Sequence, residues 1–214
     1  MILAGFLWHS VRYFQDAIVL RSAQSDLRYL SARESISARQ WKNIWNPVED
    51  LLDRNPGNAD YLMIEARLLE WRARQQRLSP VNYRQLQQRL TSVYESILNL
   101  RPYWGLVWIS LAVSKAERGL PAGEWETDIA NALELTPWDP EVHRRVVWLG
   151  LHRWASISEN LKKKVTGVLE RVLQSDYSQS PNRVNEYAVR LVKQLKLKST
   201  LDPFLSVSIR HQLQ

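Results

Sequence analysis

A chain of 214 residues with a formal charge of +7 can fold into one or two compact cores or one elongated array. With no cysteine, it holds neither a disulfide nor a thiolate zinc site. Ten Trp and eight Tyr against three Phe supply apolar area with polar groups that need partners, and Gly and Pro fall mostly between periodic segments, which predicts an all-α protein.

Residues 1–11 are apolar, with no Lys, Arg, Asp or Glu before Arg12. The run is too short to span a bilayer core and lacks the basic start and cleavage site of a signal peptide. Two readings stay open: an amphipathic first helix with Leu3, Leu7, Val11, Phe14 and Ile18 on one face, or the outer end of a membrane anchor.

The first helix continues to about Tyr29. Ser37 with Gln40 has the spacing of a capping box and starts a second helix, which Asn46-Pro47 should kink or break before Asn55-Pro56-Gly57 ends it. A third helix runs from about Ala59 to Arg74. Ser79-Pro80 opens a fourth that reaches Leu100. The fifth covers about Leu106 to Arg118 and stops at Gly119, with Pro121 preventing continuation. Glu124, Glu126 and Asp128 crowd the start of the sixth, where carboxylates favour the positive end of the helix dipole. Asp139-Pro140-Glu141 opens the seventh helix, Ser156 with Glu159 the eighth and Ser180-Pro181 the ninth, and Thr200 onward forms a short tenth.

Helix, turn, helix and proline in that order is the grammar of a tetratricopeptide unit, and one register tests it. Twelve, eight and five residues before each inter-unit proline should share a packed face. Pro56 gives Ile44, Val48 and Leu51; Pro102 gives Leu90, Tyr94 and Ile97; Pro137 gives Trp125, Ile129 and Ala132. All nine are apolar or aromatic. With Tyr177 standing in for a proline, Val165, Leu169 and Val172 follow the same rule. The first helix of the next unit should show bulky, bulky and small residues. Trp108, Leu111 and Ala112 match well, His143, Val146 and Val147 in part, and Leu62, Glu65 and Ala66 with Glu65 out of character.

The markers lie 46, 35 and 40 residues apart instead of a constant 34. The expectation is therefore a solenoid of about nine to ten helices: an N-terminal helix over 1–36, tetratricopeptide-like repeats over 37–177 and capping helices over 178–214. The rival pentatricopeptide array would put the basic charge on RNA. The close Ala132–Pro137 and Trp108 argue against it. The basic residues are also dispersed, and Lys162, Lys163 and Lys164 point in three directions on a helix, so no nucleic acid is expected.

Catalytic grammar is missing. His9, His143, His152 and His211 make no helical ligand pair, no Ser-His-Asp set stands out, and no glycine-rich phosphate loop is present, so no metal, cofactor or reaction is assigned. A partner-binding groove fits better, because the first helix of each hairpin lines the concave face of such arrays. The register places Asp60, Met63, Arg67, Glu70 and Trp71 there in one unit, and Leu106, Ile109, Val113 and Glu117 in the next. Arg144, Trp148 and His152 follow in the third. Arg67/Trp71 and Arg144/Trp148 share a four-residue spacing that could stack guanidinium on indole, which suits an anionic or sugar-like ligand or a peptide.

From Leu100-Arg101-Pro102-Tyr103-Trp104 through Trp108, Leu111-Ala112 and Ala132–Trp138 to Gly150-Leu151 and Trp154, the chain resembles the VpsP family of bacterial exopolysaccharide-biosynthesis proteins. Asn55-Pro56-Gly57-Asn58 and Glu70-Trp71-Arg72-Ala73 fit the same pattern, so the likeness covers residues 48–175. The resemblance implies a non-catalytic tetratricopeptide scaffold whose partners are proteins of polysaccharide synthesis and export. It also implies an N-terminal membrane segment, with the helical domain outside the cytoplasm. A cytoplasmic tetratricopeptide adaptor unrelated to sugars is the alternative.

Overall fold

The computed structural model describes residues 2–75, 78–174 and 183–212, with the backbone alone for residues 2–11, 13 and 212. Among the described residues the fold is all-helical, with eleven α-helices, two 3-10 turns and no strand. The chain forms two compact units, Met1–Pro102 and Tyr103–Gln214. The first contains α1 (Ile2–Ser31), α2 (Ala38–Arg54), α3 (Ala59–Ala73) and α4 (Pro80–Leu100). The second contains α5 (Gly105–Glu117), α6 (Glu126–Leu135), α7 (Pro140–His152), α8 (Glu159–Gln174), α9 (Val184–Gln194), α10 (Lys198–Leu201) and α11 (Val207–Gln212).

Most boundaries sit where local chemistry requires them. Ser37 and Gln40 form a reciprocal capping box at α2, Ser79 caps α4 ahead of Pro80, and Asp139 accepts from the N–H groups of Glu141 and Val142 at α7. Gly119 stops α5 with φ +84°, a left-handed conformation that favours glycine.

Three expectations are corrected. Pro47 does not break α2 into two helices, and the helix runs through it. Asn43, Asn46 and Pro47 are all exposed, so water can serve the carbonyl that proline deprives of its donor. Ser158, not Ser156, opens α8: its hydroxyl accepts from Leu161 N, while the Ser156 hydroxyl donates to the Arg153 carbonyl. The C-terminal segment read as one short helix is two, α10 and α11, separated by a 3-10 turn over Asp202–Phe204. Tyr177 and Ser180-Pro181 lie outside the described residues, as do the side chains of Leu3, Leu7 and Val11.

Successive helices pair as antiparallel hairpins. Asp16 on α1 meets Arg54 and Asn55 at the end of α2, and Tyr29 near the end of α1 meets Gln40 at the start of α2. Asp60 at the start of α3 meets Arg101 at the end of α4, and Lys115 near the end of α5 meets Asp128 at the start of α6. The α3–α4 hairpin has two further polar bridges, Arg89 to buried Glu65 (2.7 Å) and Tyr94 to Glu70 (2.7 Å). The first helices of consecutive hairpins also pack on one another, α1 on α3 in one unit and α5 on α7 and α7 on α9 in the other.

The register counted from the prolines is also the register of the core. Ile44, Val48, Leu51, Leu90, Tyr94, Ile97, Trp125, Ile129 and Ala132 are all buried, as are Val165, Leu169 and Val172. Each large member contributes about 1.5–3 kcal/mol by leaving water. Glu65, which looked out of character, is buried too and is neutralised by Arg89. Among the described residues no helix is long and apolar enough to cross a membrane. Phe14 and Ile18 of the predicted apolar face are exposed.

His143 is fully buried at a core position, and its Nε2 lies 2.9 Å from the Pro137 carbonyl, which fixes Nε2 as the protonated nitrogen because a carbonyl can only accept. Burial pushes its pKa below the ordinary 6.5; the Arg171 charge works the same way, while the Pro137 hydrogen bond and Asp139 oppose them without prevailing. The unfolded chain therefore takes up a proton that the folded chain refuses. The stability from neutral His143 is complete above pH 6.5 and is lost as pH falls through that value toward the lower folded pKa. Denaturant unfolding at pH 7 and pH 5.5 should show wild type losing more stability than His143→Gln over this interval. Equal losses would remove His143 as the titrating group.

Candidate partner-binding face

The predicted face divides between the two units. In the first, Met63 (8% exposed) and Trp71 (4%) are core residues and are removed from the binding set. Trp71 stacks on Trp41 with 5.9 Å between centroids, and its Nε1–H donates to the Leu30 carbonyl at 2.8 Å. Asp60 is held by both terminal nitrogens of Arg101 (2.7 and 2.8 Å), and Glu70 accepts from Tyr94. Only Arg67 of the five stands exposed without a described partner.

In the second unit the expected residues join a polar network across the first helices of three hairpins. Glu141 on α7 accepts from Arg144 Nε (2.8 Å), Arg144 Nη2 (2.6 Å) and Arg145 Nε (2.8 Å). Arg145 also donates to the Ser110 hydroxyl on α5 (3.0 Å), and the Arg144 guanidinium lies 5.7 Å over the Tyr187 ring on α9. The Glu141 carboxyl is raised by burial, but hydrogen bonds and charge from the two arginines outweigh this and hold it below the usual range. Tyr187 is raised by burial despite Arg144. One carboxylate faces two guanidiniums, so the cluster carries a net positive charge at neutral pH.

Trp148 and His152 continue the α7 stripe one and two turns on. Their rings lie 4.8 Å apart, Trp148 half-buried and His152 exposed, with His152 Nδ1 2.9 Å from the Trp148 carbonyl. Glu117 on α5 lies 3.8 Å from Arg153, which also donates to the Ala116 carbonyl. Of Leu106, Ile109 and Val113, Ile109 is fully buried and the others are half-buried against the core.

The same-helix Arg–Trp stacks do not form. Arg144 lies over Tyr187, and Trp71 meets Trp41. Arginine does cover indole elsewhere, but between elements: Arg72 over Trp41, Arg89 over Trp45, and Arg171 over Trp138 in the α6–α7 turn. A four-residue spacing makes contact available, and packing of the next helix decides which partner is taken. Glu141, Arg145, Ser110 and Tyr187 were missed by sequence reasoning. The Glu141/Arg144/Arg145 spacing was visible as i,i+3 and i,i+4 pairs, whereas Ser110 and Tyr187 enter from other helices with no local signal.

The face thus offers cationic, aromatic and hydrogen-bonding groups on a rigid helix, with no nucleophile–base pair among them. The chain matches no protein-family model, and neither a curated protein nor a solved structure matches it.

Proposed function

We propose that this chain is a non-catalytic helical-repeat scaffold of the tetratricopeptide kind, which holds protein partners of bacterial cell-surface polysaccharide synthesis and export. The observation that carries the scaffold reading is burial at one register in consecutive hairpins: the positions twelve, eight and five before Pro56, Pro102 and Pro137 are all core. Constant packing positions in helices of differing length are what a repeat scaffold requires. The pathway rests on the resemblance carried by residues 48–175. The partner surface is the α7 stripe Arg144, Trp148 and His152 with Tyr187 beside it, whose charge and aromatic area suit an acidic peptide segment.

Membrane association through α1 belongs to the same proposal. Because α2 ends level with Asp16 and α3 ends level with Leu30, the first fourteen residues of α1, Ile2–Gln15, run about 21 Å beyond both partners in its unit. That length holds Arg12 as its only charged residue. The helical units then lie outside the cytoplasm.

Gene deletion with complementation tests the proposal. Loss of the chain should abolish surface polymer, the wild-type gene should restore it, and the Arg144→Ala, Trp148→Ala pair should restore it poorly although the protein accumulates folded. Unchanged polymer after deletion would end the pathway reading; full rescue by the double variant would end the assignment of the face.

A further inference from the structure

The N-terminal unit contains a cleft of about 530 Å³ between the ends of α1 and α3, lined by Ser31, Arg33, Glu34 and Ser35 from one side and Trp71, Arg74 and Gln75 from the other. This is the size range of small-ligand sites. Its wall is fixed, because Trp71 is buried and donates to the Leu30 carbonyl, which ties the end of α1 to α3.

Basic side chains at helix C-termini commonly spend their donors on the last carbonyls of the helix. Here several of those carbonyls are served otherwise. The Arg28 carbonyl accepts from the Ser31 hydroxyl (2.7 Å), the Leu30 carbonyl from Trp71 and from Arg33 N (3.0 Å), and the Glu70 and Trp71 carbonyls from Arg74 N (3.3 and 3.2 Å). The Arg33 guanidinium lies 4.2 Å over the Tyr29 ring, and among the described residues that of Arg74 makes no hydrogen bond or ion pair. Glu34 pairs with neither, so two guanidiniums and one carboxylate line a single cleft with their charges unneutralised by one another.

We infer that this cleft binds a small ligand through an oxyanion, a carboxylate or phosphate group, held between Arg33 and Arg74. The planar fork of a guanidinium matches both groups and bonds them bidentately. The Ser35 hydroxyl supplies a further donor, and Glu34 opposes the anion while accepting from any hydroxyl beside it. The cleft exceeds the volume of one oxyanion, so the ligand is of metabolite size. The inference is independent of the scaffold and pathway readings, since none of the lining residues belongs to the α7 stripe.

Calorimetric titration of the full chain with inorganic phosphate, and separately with malonate, at constant ionic strength tests it. Saturable binding of at least one anion is expected, and the anion that saturates names the group recognised. Arg33→Gln and Arg74→Gln should each weaken it about tenfold, one charge-assisted hydrogen bond's worth. Glu34→Gln should tighten it several-fold, and Arg84→Gln, an exposed arginine on α4 outside the cleft, should leave it unchanged. Arg33, Glu34 and Arg74 are exposed, so thermal unfolding should report every variant as folded. No saturation by either anion, an equal loss in Arg84→Gln, or weaker binding in Glu34→Gln would overturn the inference.

Discussion

Replacing Trp71 by Ala is expected to destabilise the N-terminal unit by about 3–5 kcal/mol, the range for deleting a buried indole. Three contributions are lost together. The ring is 4% exposed, so its area returns to water and a cavity remains. The stack on Trp41, itself stacked on Trp45, loses one of its members. The Leu30 carbonyl keeps only the N–H of Arg33. Trp71→Phe separates these effects, since it retains most of the apolar volume and a stackable ring while removing the donor, and it should cost about 1–2 kcal/mol. Urea unfolding followed by far-UV circular dichroism reads both variants. A change of less than about 0.5 kcal/mol in the alanine variant, typical of surface sites, would return Trp71 to the binding face.

Gly150→Ala pits two effects of known sign against each other. Alanine favours a helix interior by about 1 kcal/mol over glycine. A Cβ at this position, however, would lie 2.7 Å from Val165 Cγ1 and 3.1 Å from its Cβ on the facing helix α8. Valine has one strongly preferred rotamer in a helix and cannot swing aside, so the hairpin itself must open. Overpacking of this kind costs about 1–3 kcal/mol. The clash should win, and the variant should melt below wild type. In a background where Val165 is already alanine the obstruction is gone, and adding Gly150→Ala should be neutral or stabilising. If the substitution costs as much there as in wild type, the close approach of α7 and α8 is not the cause. Gly105 stands in the same relation to Thr136 at the start of the α5–α6 hairpin.

These two residues show what the sequence revealed and what it hid. The limits of α4, Ser79-Pro80 to Leu100, were readable because capping chemistry is local, and the twelve packed positions were readable because they repeat. Pro47 misled because its effect depends on whether the orphaned carbonyl reaches water, which is a property of the tertiary fold. Ser156 and Ser158 both precede the eighth helix, and local spacing favoured the wrong one; the Glu126 carboxylate from α6 grips Ser158 N (2.8 Å) and hydroxyl (2.6 Å) and fixes the cap there.

The binding face was partly legible for the same reason. Counting along a helix put Met63 and Trp71 on the stripe that faces outward in an ideal array, but α1 lies against α3 there and Leu30 claims the indole. On α7 the stripe Arg144, Trp148, His152 keeps polar or exposed groups, and what the count could not supply was the set of cross-helix partners that orient them.

The three polar bridges between α3 and α4 bear on how many folded states the hairpin has. Apolar faces slide past one another at little cost when the fit is only approximate. Moving α4 by one helical turn, about 5.4 Å, would break Asp60–Arg101, Glu65–Arg89 and Glu70–Tyr94 together and leave a buried carboxylate at Glu65 without its counter-charge. The bridges add little net stability, yet every neighbouring alignment is worse by an unpaired charge. A hairpin whose second helix, at 21 residues, is longer than its first, at 15, is thereby kept to a single alignment.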